Sequence, residues 1–163
     1  TKMLPAAAVL YPMTFLTKNF LGIFDTHFLV ILVLCLINLP IVIWMLFTYF
    51  KEIPKEIIEA SKMDGVTIWG EIKDILLPLA WGGLASTALL CFIFCWNEAY
   101  WTVRLTTTEA ATLSKLIEGN RAPEGLFFGR LSAVSTAAVG PIVVLGWFCQ
   151  KQLVKGLTFG AVK

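Results

Sequence analysis

Long apolar stretches alternate with short polar segments along this chain and predict helices that cross a membrane. Four stretches carry almost no charge, namely 5–16, 27–50, 79–103 and 131–149. A spanning helix needs roughly 20 apolar residues, and the last three stretches reach about that length. The first is interrupted by Pro5 and Pro12 and becomes long enough when residues up to Phe24 are added. We therefore predict about four transmembrane helices, at 3–24, 27–50, 79–103 and 131–149.

The segment between the second and third predicted spans, residues 51–78, is the most charged part of the chain. It predicts a short helix up to Met63, because isoleucines share one face and Pro54 suits a first helical turn. Asp64 and Gly65 predict the end of that helix, since glycine accepts the left-handed conformation of a helix stop. Thr67 then predicts the cap of a second, amphipathic helix that Pro78 ends.

Composition supports the membrane interpretation. Hydrophobic residues make up 58% of the chain, charged residues only 15%, and the mean hydropathy is +0.79. A soluble protein with buried helices would need polar faces on those helices, and such patterning is missing. The chain starts at Thr1 without a small-residue cleavage site, so we expect no signal peptide and an absent N-terminal part.

The basic residues predict the orientation. Segments on one side of the predicted spans hold Lys2, Lys51, Lys55, Lys62, Lys73, Lys151, Lys155 and Lys163. Segments on the other side hold Lys18, Arg104, Lys115, Arg121 and Arg130. Basic residues concentrate on the cytoplasmic side of membrane proteins. We therefore place 51–78 and the tail 150–163 in the cytoplasm, and 104–130 as an outer, periplasmic loop.

The four cysteines lie inside the apolar stretches and behave there as small hydrophobic residues. Cys91 and Cys95 share a helix face, but the further ligands of a metal site are missing. His27, the only histidine, lies at the outer end of another predicted span. We predict no metal site.

The cytoplasmic segment also carries a spaced motif. It consists of Glu59-Ala60-Ser61, three residues, Gly65, nine residues, and then Ile75-Leu76-Leu77-Pro78. This motif resembles the EAA loop of ABC importer permeases, with Ser61 in place of the second alanine. A solvated amphipathic hairpin is the plainer interpretation of the same residues. The small residues would also let a partner approach the backbone closely.

The resemblance implies the type I ABC importer permease fold and a partner that hydrolyses ATP. An ATP-binding cassette subunit would hold the ATP and Mg²⁺, and this chain would bind no cofactor. When that subunit closes on nucleotide, it would move the predicted helix that ends near Met63, the coupling helix, as a rigid lever. The implied ATPase-coupling residues are Glu59, Ala60, Ser61, Asp64, Gly65, Ile75, Leu77 and Pro78.

Other runs resemble the carbohydrate branch of these permeases, which includes the MalG-like maltose type. They are 94–98 and 155–163, while 123–127 and 150–154 resemble mannitol and sorbitol (polyol) members. Such permeases usually have about six spans, so the first two are expected to be missing. The implied partners are a second permease subunit, a periplasmic or lipid-anchored solute-binding protein, a sugar or polyol, and lipid, but no nucleic acid. The implied location is the bacterial inner membrane.

Four polar or aromatic residues are candidates for the solute path, namely Asn38, Trp96, Asn97 and Glu98. Carboxylate and amide groups bind hydroxyls, and tryptophan covers the carbon skeleton of a sugar. For Asn38, hydrogen bonding between helices is the alternative, and for Glu98 a water-facing interfacial position. The resemblance implies that the outer loop 106–130 contacts the solute-binding protein, and that the tail is a second contact with the ATPase.

Two other classes of protein compete with the importer subunit. A stand-alone secondary carrier or channel would need titratable residues along a buried path, and Glu98 is the only acid near a predicted span. A membrane enzyme would need a carboxylate cluster, a metal set or a nucleophile with its base. The sequence shows no such set and no phosphate-binding glycine-rich loop, so we predict a transport subunit rather than an enzyme.

Overall fold

The computed structural model describes residues 5–121 and 128–158, with side chains described up to residue 150. The helices are α1 Ala6–Asn19, α2 His27–Lys51, α3 Lys55–Met63, α4 Ile68–Gly70, α5 Leu77–Asn97, α6 Tyr100–Leu105, α7 Leu113–Gly119 and α8 Phe128–Thr158. A π-helical segment, Glu71–Leu76, joins α4 to α5. The described residues contain no strand. The predicted all-α class is confirmed.

Three helical stretches of the described chain are long and apolar enough to cross a membrane, namely His27–Lys51, Ile68–Asn97 and Phe128–Gln150. They coincide with the second, third and fourth predicted spans. The first predicted span, 3–24, contains the 14-residue helix α1, which is shorter than the roughly 20 residues a span needs. A turn with Gly22 at φ +62° follows α1. That span stays a prediction.

The boundary predicted at Pro78 differs from the structure. The second helix predicted for residues 51–78 does not end there but continues through the π-helical segment into α5. A proline at this position would collide with the carbonyl of Asp74 in a regular α-helix. In the structure, the N–H of Leu77 bonds to the carbonyl of Ile72, five residues back. We infer that the wider π turn makes room for the proline ring.

Two further boundaries differ from the predicted ones. The third span was predicted to reach residue 103, but α5 ends at Asn97 and the separate helix α6 follows. The last helix begins at Phe128 and continues to Thr158, into the predicted tail. The run 123–127 and residues 159–163 lie outside the described residues.

Within the described residues the chain forms two compact units, 5–40 with 93–147 and 41–92 with 148–158. The core of the first unit is a cluster of Leu29, Val33 and Leu105, onto which residues of α1 and its following turn pack. In the second unit, Gly83 of α5 lies against the ring of Tyr49 of α2. Large apolar side chains on the long helices remain exposed, Trp44, Phe47 and Trp147 among them. Such surface suits lipid or protein neighbours.

Candidate functional site

The end of α3 has the geometry of a Schellman turn. The N–H of Val66 donates to the carbonyl of Ser61 at 3.1 Å, and that of Gly65 donates to Lys62 at 3.1 Å. Gly65 has φ +73°, a conformation that only glycine adopts without strain. The sequence prediction of a helix stop at Asp64 and Gly65 is therefore confirmed.

The Thr67 cap is confirmed as well. The Thr67 hydroxyl accepts a hydrogen bond from the N–H of Gly70 at 3.3 Å. Only about four residues separate α3 from α4, and each helix end is fixed by its own hydrogen bonds. Such short, capped connections hold two helices at a set angle. The first half of the motif therefore lies on a hydrogen-bonded corner, which consists of α3, the connection 64–67 and α4.

The motif residues of α3 and its turn differ in exposure. Glu59, Ala60, Asp64 and Gly65 are exposed, whereas Ser61 is only 4% exposed. The Ser61 hydroxyl donates to the carbonyl of Ile58 at 2.8 Å. Ser61 therefore packs inside its own unit, which differs from the expectation that it lets a partner approach. We infer that the residue must be small for packing within this chain.

The second half of the motif lies on another element. Ile75 is half-buried in the π-helical segment, and Leu77 and Pro78 are exposed at the start of α5. These residues belong to the continuous stretch that begins at α4 and ends at Asn97. The corner at Gly65 is thus connected to a membrane-crossing helix without an intervening loop.

Sequence reasoning missed an apolar patch at this corner. Met63, Ile68 and Trp69 are 89%, 78% and 73% exposed. Apolar side chains exposed this fully beside charged residues are typical of a protein contact. The signal was present in the sequence, since Met63 and Ile68 flank the predicted helix stop at Asp64 and Gly65.

The first solute-path candidate, Asn38, is 6% exposed inside the first unit. Its Nδ2 donates to the carbonyl of Leu34 at 2.8 Å and to Sγ of Cys95 at 3.3 Å. The side chain therefore links α2 to α5, which is the helix-packing alternative. Helix α2 continues past Pro40.

The other three candidates are consecutive residues at the C-terminal end of α5, with Glu98 directly after it. Trp96 Nε1 donates to the carbonyl of Ala138 in α8 at 3.2 Å. The Glu98 carboxylate accepts from the N–H groups of Trp101 at 2.8 Å and Thr102 at 3.1 Å, so it caps α6. Asn97 is exposed, and its Nδ2 donates to the carbonyl of Ile93 at 2.9 Å. Asn97 is thus the candidate with its amide at the surface.

A second feature that sequence reasoning missed is Asp25, in the turn between α1 and α2. Its carboxylate accepts hydrogen bonds from the N–H groups of four consecutive residues, Thr107 to Ala110, and from the Thr107 hydroxyl. The two partners are more than 80 positions apart in the sequence. No local pattern reports such a pairing, although an aspartate in a turn is an ordinary acceptor.

Among the described residues, no group of three or more His, Cys, Asp and Glu side chains comes together. The i,i+4 pair Cys91 and Cys95 is half-buried in α5. Cys95 accepts the hydrogen bond from Asn38.

The three long apolar helical stretches of the described residues are typical of a multi-pass membrane protein. A family model, the binding-protein-dependent transport system inner membrane component, matches residues 1–157. The chain belongs to this family and is an inner-membrane protein. Its relatives are named as permeases, which are transport components rather than enzymes.

Several curated relatives are named for carbohydrates. The trehalose transport system permease protein SugB of Mycobacterium tuberculosis is 35% identical over 99% of this chain and 60% of its own length. The trehalose/maltose permease MalG of Thermococcus litoralis is 36% identical over 77% of this chain and 46% of its own length. The arabinooligosaccharides permease AraQ of Halalkalibacterium halodurans is 34% identical over 76% and 45%. The chain thus spans about half the length of these relatives. The resemblance to carbohydrate permeases is confirmed.

Proposed function

We propose that this chain is part of the permease of an ATP-driven importer and forms half of the translocation path for a sugar or polyol. Family membership supports the importer class. The observation that carries the coupling role is the exposed corner, in which α3 ends in a fixed turn and continues through α4 and the π-helical segment into a spanning helix.

The proposed coupling surface consists of Glu59, Ala60, Asp64 and Gly65 with the exposed apolar patch Met63, Ile68 and Trp69. Apolar anchors beside charged residues suit a groove on an ATP-binding subunit, because desolvated apolar contacts supply affinity and charges set register. The remaining motif residues, Ser61, Ile75, Leu77 and Pro78, act through packing and helix geometry. Movement of the docked corner would then pass directly into α5.

The solute class is proposed as a carbohydrate. Trehalose, maltose and arabinooligosaccharides in the relatives' names support it. The narrower hypothesis of a mannitol or sorbitol type rests on short runs of sequence resemblance. A panel of trehalose, maltose, mannitol and sorbitol in one uptake assay separates these solutes.

The proposed function is tested by reconstitution of the full-length subunit with its partner permease, ATPase and solute-binding protein in liposomes. We expect solute uptake and ATP hydrolysis that both require the binding protein and both stop when the ATPase subunit is omitted. Uptake that persists without any ATPase would instead establish the stand-alone carrier or channel.

For the solute path, Asn97 is the proposed contact, because its amide is exposed at the end of α5 while Trp96 and Glu98 hold that end in place. Replacing Asn97 by alanine is expected to raise the half-saturating solute concentration about threefold, the loss of roughly one hydrogen bond. Asn38→Leu is expected to change thermal stability instead, by about 1 kcal/mol.

The matched control is Asn19→Ala, which removes another exposed amide at a helix end outside the proposed path. Solute-dependent uptake rates in the reconstituted importer give the measurement. Equal effects of Asn97→Ala and Asn19→Ala would remove Asn97 from the path.

A further inference from the structure

The outer segment, defined here as residues 100–121 with helices α6 and α7, is fastened to the N-terminal turn through one carboxylate. Oδ1 of Asp25 accepts from the N–H of Thr107 at 2.7 Å and of Ala110 at 3.3 Å. Oδ2 accepts from Thr108 at 3.0 Å and Glu109 at 3.2 Å. Consecutive N–H groups that converge in this way form a cradle for an anion. Here the anion is supplied by the protein itself.

The carboxylate side of this contact is itself rigid. Asp25 has φ +59°, a left-handed conformation that is uncommon outside glycine. Its own N–H donates to the carbonyl of Leu105 at 3.3 Å. The next residue, Thr26, accepts from the N–H of Leu29 at 3.2 Å and so caps the start of α2. Asp25 is therefore fixed by its own bond to Leu105 and by the capped start of α2 directly after it.

The electrostatics agree with this geometry. Desolvation by burial raises the pKa of Asp25. The hydrogen bonds from Thr107, Thr108 and Glu109 together lower that pKa by a larger amount, so it lies well below the ordinary range of an aspartate. Charge-assisted hydrogen bonds are stronger than neutral ones. The carboxylate thus stays ionised and bound at neutral pH.

Two further hydrogen bonds hold the rest of the outer segment. The Ser114 hydroxyl of α7 donates to the carbonyl of Glu98 at 3.0 Å. Lys115 Nζ donates to the carbonyl of Val103 at 2.9 Å. These bonds tie α7 back to Glu98 and to α6, so the Asp25 anchor at residues 107–110 lies on the short connection between two helices that are bonded to each other.

We propose that Asp25 is a positioning residue that holds the outer segment in the orientation in which it receives the solute-binding protein. This proposal rests on the proposed importer function and on the expectation, drawn from the sequence resemblance, that residues 106–130 contact the solute-binding protein. Asp25 acts through the cradle and does not itself contact the partner. Without the carboxylate the four N–H groups lose their shared acceptor, and the outer segment samples other positions.

The test uses the complete importer with Asp25→Asn, which keeps the size of the side chain and removes its charge and one acceptor oxygen. We expect amide exchange at Thr107 to Ala110 to rise at least tenfold. The binding-protein concentration that half-saturates ATPase stimulation should rise about fivefold, while the maximal rate and the basal rate stay within twofold of wild type.

A second variant keeps the proposal falsifiable where Asp25→Asn folds poorly. Thr107→Val removes one hydroxyl donor and keeps all four N–H donors. The binding-protein concentration that half-saturates ATPase stimulation should therefore rise about twofold. Glu109→Gln removes a nearby exposed carboxylate outside the cradle and should leave amide exchange at 107–110 unchanged.

The outcomes separate the proposal from the function beneath it. Faster exchange with unchanged half-saturation means a purely structural contact and overturns the positioning role. Unchanged exchange in Asp25→Asn overturns the anchor itself. Absence of any stimulation by binding protein in the wild-type importer overturns the proposed function, and the positioning role with it.

Discussion

Replacing Gly83 by alanine is expected to destabilise the protein by about 2 kcal/mol, a typical cost of overpacking. Gly83 is buried in α5, and a Cβ added there would lie 2.5 Å from Cδ1 and Cδ2 of the Tyr49 ring. Neither atom is the end of a flexible chain, so the ring must rotate away or α5 must move from α2. Thermal unfolding of the detergent-solubilised protein, followed by fluorescence, measures the loss.

Gly82 provides a matched control in the same helix. A Cβ at Gly82 meets nothing within 4 Å. Its carbonyl accepts a side-chain hydroxyl four residues on, from Ser86, as that of Gly83 does from Thr87, both at 2.8 Å. Gly82→Ala should therefore raise stability by about 0.5–1 kcal/mol through helix propensity alone. Equal shifts in the two variants would contradict the close packing of Gly83 on Tyr49.

If the proposed coupling surface is correct, replacing Gly65 by valine is expected to weaken association with the proposed ATPase subunit at least tenfold, about 1.4 kcal/mol, while membrane insertion stays intact. The residue has φ +73°, where an L side chain costs about 1–2 kcal/mol and a β-branched one more. Relief of that strain opens the Schellman turn and rotates α3 relative to α4. Pull-down of the ATPase subunit with the solubilised permease complex measures the effect.

Gly65→Asn separates the two physical reasons for a glycine at this position. Asparagine tolerates the left-handed conformation, so the turn is kept while a side chain is added. Nothing within 4 Å in this chain obstructs a Cβ there. We expect Gly65→Asn to bind within threefold of wild type. Loss of binding in both variants would show that a close approach by the partner matters, and wild-type binding by Gly65→Val would refute docking through this corner.

Features encoded within a few residues could be predicted well. Asp64-Gly65 and Thr67 form a helix stop and a helix cap because their side chains and backbone act on neighbours three to five positions away. The apolar stretches at α2, α5 and α8 were predictable for a similar reason, since the bilayer requires a run of consecutive apolar residues. The spaced motif was equally readable, and it led to a family that the comparison with known proteins confirms.

Features that depend on the backbone conformation and the burial around a residue could not be predicted from the sequence. Pro78 was expected to end a helix, because a proline ring collides with the carbonyl four residues back in a regular α-helix. The π-helical segment before Pro78 removes that collision and lets the helix continue. Glu98 suggested a solute ligand, but the break at 98–99 leaves the N–H groups of α6 in need of an acceptor, which its carboxylate provides. Ser61 suggested a partner contact, although its side chain is buried within its own unit.

The order of residues by itself predicted a helical membrane protein and the charged segment between two of its spans, because periodicity, charge and capping act over one or two helical turns. The spaced motif added the resemblance to importer permeases. The three-dimensional arrangement alone revealed that Asp25 binds residues 107–110, that Gly83 must be small to receive Tyr49, and that the corner continues into α5. The contacts of Asp25 and Gly83 join residues far apart in the chain, and their energy depends on which surfaces meet after the helices have packed. The continuation into α5 depends on the π-helical segment before Pro78.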